Sequence, residues 1–122
     1  ITIVAMSRMV VIAEQAAAQL KERGISAEVI DLRTLSPLDE GAVLESLAKT
    51  GRLVVVDESN PYCSMASEIA GLAVERGFDT LDAPVRRVTA PHTPVPATPC
   101  LEIEYVPNAA KVIAAVEETL SY

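Results

Sequence analysis

Apolar residues fall along this chain at two spacings. The runs Ile1–Met6, Ala27–Leu32, Leu53–Val56 and Val85–Val88 are short, nearly continuous and rich in β-branched residues, the pattern of strands covered on both faces. The segments between them carry apolar residues three and four apart. Met9, Ile12, Ala16 and Leu20 make the stripe of a first helix, with Ser7 placed to cap it and Gly24 to end it. Ser36-Pro37-Leu38-Asp39 offers an N-cap, a proline at the first helical position and an acid three residues on, which predicts a second helix running to about Lys49 and stopping at Thr50-Gly51. After a turn at Ser59-Asn60-Pro61, a third helix is expected from Ser64 to Arg76, closed by Gly77. Four prolines between Pro91 and Pro99 predict a stiff extended loop. Asn108 then caps a last helix with Val112, Ile113, Val116 and Leu120 on one face.

This order predicts one α/β domain over residues 1–122: three layers, a mostly parallel sheet of about five strands, and helices on both faces. At 122 residues the chain is long enough for one core, burying roughly two-thirds of the unfolded surface. That core is built from small aliphatic residues, since Phe78, Tyr62, Tyr105 and Tyr122 are its only aromatic side chains. The sequence opens at Ile1, already inside a strand, so a further segment is expected before it.

The formal charge of −7 surrounds the domain with a field that repels polyanions. Nucleic acid and anionic membranes are thereby disfavoured, and a basic protein segment is the better partner. No apolar run approaches the roughly 20 residues needed to span a bilayer. Cys63 and Cys100 lie far apart, and His92 is the only histidine. Neither a zinc site nor a disulfide scaffold is indicated, and a reducing cytoplasm is the expected compartment.

In open α/β folds ligands gather beyond the carboxyl ends of the strands. Met6-Ser7-Arg8 follows the first strand where a phosphate loop needs glycines, and neither G-x-G-x-x-G nor a P-loop pattern occurs. Asp57-Glu58 after the third strand has the composition of an acid/base or Mg²⁺ pair, but a solvated turn whose acid caps a nearby helix is the simpler expectation. Arg33 beside Asp31 reads as an ion pair rather than an anion site. Arg86 and Arg87 should point to opposite faces of their strand. His92 sits on the proline-framed loop with no nucleophile or acid near it in sequence and reads as a surface polar residue or an interface contact rather than a catalytic base. Cys63, near the start of the third helix, is expected as a small buried residue. A free-standing module holding a small anion between Arg8 and Arg33 is the alternative function.

The strings AEVIDLRTLSPLD, GRLVVVDES, DAPVRRVTAPHTPVP and YVPNAAKVIAAV, in that order, resemble the carboxy-terminal domain of the beta subunit of thiamine-diphosphate-dependent 2-oxo acid dehydrogenases. NPYCSMASEIA, APHTPVP and PNAA look closest to the acetoin dehydrogenase branch. Ala97-Thr98-Pro99 departs from the family, which usually carries an aromatic residue there. The resemblance implies a transketolase carboxy-terminal fold preceded by a pyrimidine-binding domain. It further implies thiamine diphosphate and Mg²⁺ bound in the parent complex by other domains, with no catalytic, cofactor or metal residue here. The implied partners are an alpha subunit and a second beta subunit in a heterotetramer, and the basic subunit-binding domain of the lipoamide acyltransferase. Asp82 and Tyr122 are the candidate contacts to that acyltransferase; His92, Arg33 and Arg87 are candidates for an interface or for proximity to the active site.

Overall fold

Four strands, β1 (Thr2–Ala5), β2 (Glu28–Asp31), β3 (Leu53–Val56) and β4 (Arg86–Val88), form one sheet in the order β2-β1-β3-β4. Every neighbouring pair is parallel. This is a computed structural model, and it describes residues 1–122. The helices are α1 (Arg8–Glu22), α2 (Glu40–Thr50), α3 (Met65–Gly77), α4 (Pro99–Tyr105) and α5 (Ala109–Leu120), with a 3₁₀ turn at Phe78–Thr80.

Alternation along the strands divides the core in two. Ile3, Ala5, Val54, Val56 and Val88 face α1 and α5, where Met9, Ala13, Ala16, Leu20, Val112 and Val116 close one half. Val4, Leu53 and Val55 face α2 and α3 and pack on Val43, Leu47, Ile69 and Ala73. Every residue of β1 and β3 is buried, which requires the near-continuous apolar runs seen in the sequence. Thr2 is the exception in polarity. Its fully buried hydroxyl lies 2.7 Å from Ser46 Oγ and 2.8 Å from Thr50 Oγ1, tying β1 to α2.

The sheet has four strands rather than about five. The segment left between β4 and α5 contains α4, which begins at Pro99 in the first helical turn, a position where a missing N–H costs nothing. Four helix starts test the sequence. Asn108 caps α5 as expected, accepting from Lys111 N, and Ser64, where the third helix was expected to begin, is the N-cap of α3 and accepts from Ser67 N. Ser36 does not cap α2; it lies in a turn bridged by Leu35 and Leu38, and Asp39 takes the role by accepting from Ala42 N at 3.0 Å. Ser7 makes no capping bond to α1. On α5, Thr119 rather than Leu120 completes the buried stripe, because its hydroxyl donates back to Ala115 O and leaves no polar group unsatisfied. The edge strand β2 is blunted by charge: Lys49 lies 3.0 Å from Glu28, and this ion pair holds the pKa of that carboxyl below its ordinary value.

Replacing Thr2 by Val keeps the shape but strands the Ser46 hydroxyl, and a cost of about 1–3 kcal/mol is expected. Urea denaturation of Thr2→Val, Ser46→Ala and the double variant checks it. The double should lose much less than the two singles combined; strict additivity would show that the hydroxyls are not coupled.

Candidate functional site

The chain leaves β1 toward one face, through α1, and leaves β3 toward the other, through α3. That divergence puts the switch point of the sheet between the carboxyl ends of β1 and β3. Met6, Ser7 and Arg8 follow β1, and Ser7 has a left-handed φ of 52°. Asp57 follows β3 and is 5% exposed. Its Oδ1 accepts from Ser59 N at 2.9 Å and its Oδ2 from Ala66 N at 3.2 Å. Both oxygens therefore hold the loop and the first turn of α3, where the helix dipole favours a negative charge. Glu58 points to solvent. The pair is a structural cap rather than an acid/base couple.

The two arginines of the anion-site alternative do not converge. Arg33 Nε sits 2.6 Å from Asp31 Oδ2 in a largely exposed pair, and Arg33 lines an open cleft of about 410 Å³ with Met6, Ser7, Asp31, Leu32 and Leu35. Arg8 lines a separate depression against α4.

Arg86 and Arg87 diverge as strand alternation requires. Arg87 reaches across to the loop before α3, donating to Pro61 O at 2.8 Å and to Ser67 Oγ at 2.6 Å. The same loop presents Tyr62, whose ring meets His92 edge-on at a centroid distance of 4.7 Å and an angle of 82°. His92 is exposed and lines a small depression with Asn60, Thr93 and Pro94. No acid or nucleophile accompanies it there. Cys63 is exposed, not buried as expected, and has a φ of 50°. It falls just before the helix, on a loop turned outward by Asn60-Pro61, so its side chain never reaches the core. Cys100 is also free and exposed.

The opposite end of the sheet gathers the other candidates. Asp82 N donates to Gly51 O at 2.7 Å, and Asp82 Oδ2 lies 3.7 Å from Arg52 Nη1 with two-thirds of its side chain exposed. Arg86 turns toward α5, where it pairs with Glu118 at 2.6 Å, donates to the Tyr122 hydroxyl at 3.1 Å and lies 5.8 Å from the Tyr122 ring centroid. Gly51-Arg52 precedes β3 and Asp82 precedes β4. Because those strands are parallel neighbours, both leads arrive at one edge. The pattern of residues gives no sign of the Asp82 contact, since its partners lie about thirty positions away; it becomes readable only from strand order.

The residues of this domain do not fit a diphosphate–Mg²⁺ group. No three His, Cys, Asp or Glu side chains are grouped to hold a metal ion, Asp57 is committed to backbone donors, and the loop after β1 has no glycine to let a phosphate approach. No helix is long and apolar enough to cross a membrane.

The parallel sheet, covered on both faces and open at its strand ends, defines a three-layer α/β domain. Residues 1–112 match the family of the transketolase C-terminal domain, and the chain belongs to that family. The beta subunit of an acetoin:2,6-dichlorophenolindophenol oxidoreductase of Bacillus subtilis (strain 168) is 54% identical over 98% of this chain and 35% of its own length. Its counterpart of the same name from Cupriavidus necator is 49% identical over 98% of this chain and 36% of its own. The pyruvate dehydrogenase E1 component subunit beta of Leifsonia xyli is 45% identical over 99% of this chain and 36% of its own. The chain thus spans about a third of the length of these relatives. A solved split-gene transketolase, described as an inactive beta4 tetramer, superposes with a TM-score of 0.86 at 32% identity, covering 98% of this chain and 39% of that one.

Removing the Asp57 carboxylate leaves the N–H groups of Ser59 and Ala66 without acceptors, and Asp57→Ala is expected to cost about 1–3 kcal/mol. Thermal or urea unfolding measures the loss, and hydrogen exchange should place its local effect at the start of α3. Unchanged protection there would remove the capping role.

Proposed function

We propose that this chain is the assembly and docking domain of the beta subunit of a thiamine-diphosphate-dependent dehydrogenase complex, of the acetoin branch within the wider group that acts on 2-oxo acids. The observation that carries the reading is 54% identity across 98% of the chain to a beta subunit named for acetoin oxidation, against 45% for the pyruvate dehydrogenase relative. In this reading the complex cleaves acetoin or decarboxylates a 2-oxo acid and transfers the acyl group to lipoamide. Thiamine diphosphate and Mg²⁺ are held by other domains, among them a pyrimidine-binding domain of the same beta subunit.

The domain's own part is structural and electrostatic. It packs with an alpha subunit and a second beta subunit into a cytoplasmic heterotetramer. It offers the amino edge of the sheet, with Asp82 and Tyr122, to the basic subunit-binding domain of the lipoamide acyltransferase. A net charge of −7 suits that partner, because complementary charge raises the association rate and suppresses wrong partners. His92 and Arg87 belong to the opposite edge, where the loop they brace faces a neighbouring subunit or the active site; Arg33 shares that edge.

The full-length beta subunit, assembled with its alpha subunit and supplied with thiamine diphosphate and Mg²⁺, should reduce dichlorophenolindophenol with acetoin in preference to pyruvate, while residues 1–122 alone should be silent. A preference for pyruvate would move the protein out of the acetoin branch, and turnover by the isolated domain would end the docking reading. Reversing Asp82 to Lys should weaken binding of the acyltransferase domain by about 1–3 kcal/mol when the contact is desolvated. Titration of the assembled enzyme at low and moderate salt measures it, and an unchanged affinity would take Asp82 out of the interface.

A further inference from the structure

Asp82 is exposed, and its carboxylate lies over Gly51. Gly51 ends α2 in the left-handed region, with φ 70°, and its amide N–H donates to Leu47 O while its carbonyl accepts from Asp82 N. A Cβ built on Gly51 would stand 2.2 Å from Asp82 Oδ2 and 2.8 Å from its Cγ. The carboxylate therefore occupies the space that a side chain at position 51 would fill. Arg52, the next residue, faces the same oxygen from 3.7 Å. The backbone bond places the Asp82 main chain, Arg52 attracts the carboxylate, and the missing Cβ leaves the space in which it lies.

Gly24 offers the contrast. It also has a left-handed backbone, with φ 79°, and nothing lies within 4 Å of the Cβ it lacks. An asparagine, which tolerates that conformation, would fill the conformational need at either position. Only at position 51 does the missing Cβ itself matter, and what it makes room for is one carboxylate.

We infer that Gly51, with Arg52 beside it, is a positioning residue of the docking surface: it seats the Asp82 carboxylate in the orientation that meets a cation of the partner. This rests on the docking reading above. A carboxylate biased toward that orientation forms the contact with a smaller entropy loss, which is the general advantage of preorganisation.

The test is a double-mutant cycle on the enzyme assembled from full-length beta and alpha subunits, with the recombinant subunit-binding domain of the lipoamide acyltransferase as the probe. Asp82→Asn should weaken binding about tenfold. Gly51→Asn, chosen because asparagine accepts the left-handed backbone while still carrying the Cβ, should weaken binding several-fold in the native background and have no further effect in the Asp82→Asn background. Gly51→Ala serves as the second variant, with thermal melts to show that each remains folded, and Gly24→Asn is the control expected to bind as the parent does. A full affinity for folded Gly51→Asn beside a weakened Asp82→Asn would overturn the positioning role and leave the docking reading intact. An equal loss from Gly51→Asn with and without the Asp82 carboxylate would also overturn it. An unaltered affinity for Asp82→Asn would instead bring down the docking reading, and the inference with it.

Discussion

Burial of the sheet from both sides is the constraint on which the rest depends. All residues of β1 and β3 are inaccessible, so neither face of the central strands can carry chemistry or meet a partner. Covering both faces requires helices alternately above and below, and parallel strands supply them through their crossovers. Whatever the domain offers must then lie at the strand ends, on the outer faces of the helices, or on the long connection after β4. Small residues in the helices make the cover close. Ala13 and Ala16 on α1 and Ala66 and Ala73 on α3 are all fully buried, and substituting larger side chains there would push a helix away from the strands.

The two ends of the sheet are built differently. At the carboxyl end polar groups are spent on one another: Asp57 on two backbone donors, Arg87 on Pro61 and Ser67, and the Tyr62 ring on His92. Such cross-bracing ties the loop after β3 to the strand β4 and the loop beyond it. At the amino end the groups meet in pairs of opposite charge, Arg52 with Asp82 and Arg86 with Glu118. Arg86 also lies beside the last turn of α5, at Glu118 and Tyr122, where unsatisfied carbonyls favour positive charge. Both arginines leave part of their acidic partners turned outward.

Most of the architecture was legible in the sequence because its strongest signals are physical requirements of two-sided burial. Runs such as Leu53–Val56 suit few other places, and of the expected stripe Met9, Ile12, Ala16 and Leu20 three are buried in α1 together with Ala13, while Ile12 is half-buried against the same core. Signals that depend on a competition between neighbours were less readable. Ser36 and Asp39 both suit an N-cap, and the winner is decided by the turn that bridges Leu35 to Leu38. Proline content favoured a loop up to Pro99, yet proline is equally at home as the first residue of α4. Cys63 looked like a core residue by type, whereas the backbone turn at Asn60-Pro61 directs it outward. The cap formed by Asp57 was within reach of the sequence, since a carboxylate before a helix start has an evident use. The seating of Asp82 on Gly51 was not, because it joins segments that only the strand order brings together.

Charge explains why a held carboxylate matters in so acidic a domain. Of the ten cations, Arg23, Arg33, Lys49, Arg52, Arg76 and Arg86 sit in ion pairs, and Arg87 and Lys111 donate to oxygen acceptors. Carboxylates such as Glu14, Glu22, Glu45, Glu68 and Glu75 have no such partner and lie scattered over the helices. Their summed field acts at a distance of about a Debye length, roughly 8–10 Å in physiological salt, and it attracts any basic segment without regard to orientation. Selecting one orientation requires charges fixed relative to the backbone. Mobile glutamates on helix surfaces cannot provide that, because ordering a long side chain takes back much of the energy an exposed pair supplies. A short aspartate whose own N–H is bonded to Gly51 O and whose carboxylate lies beside Arg52 has fewer positions open to it, so in the docking reading the diffuse charge brings a partner near and the better-placed charge biases how it lands.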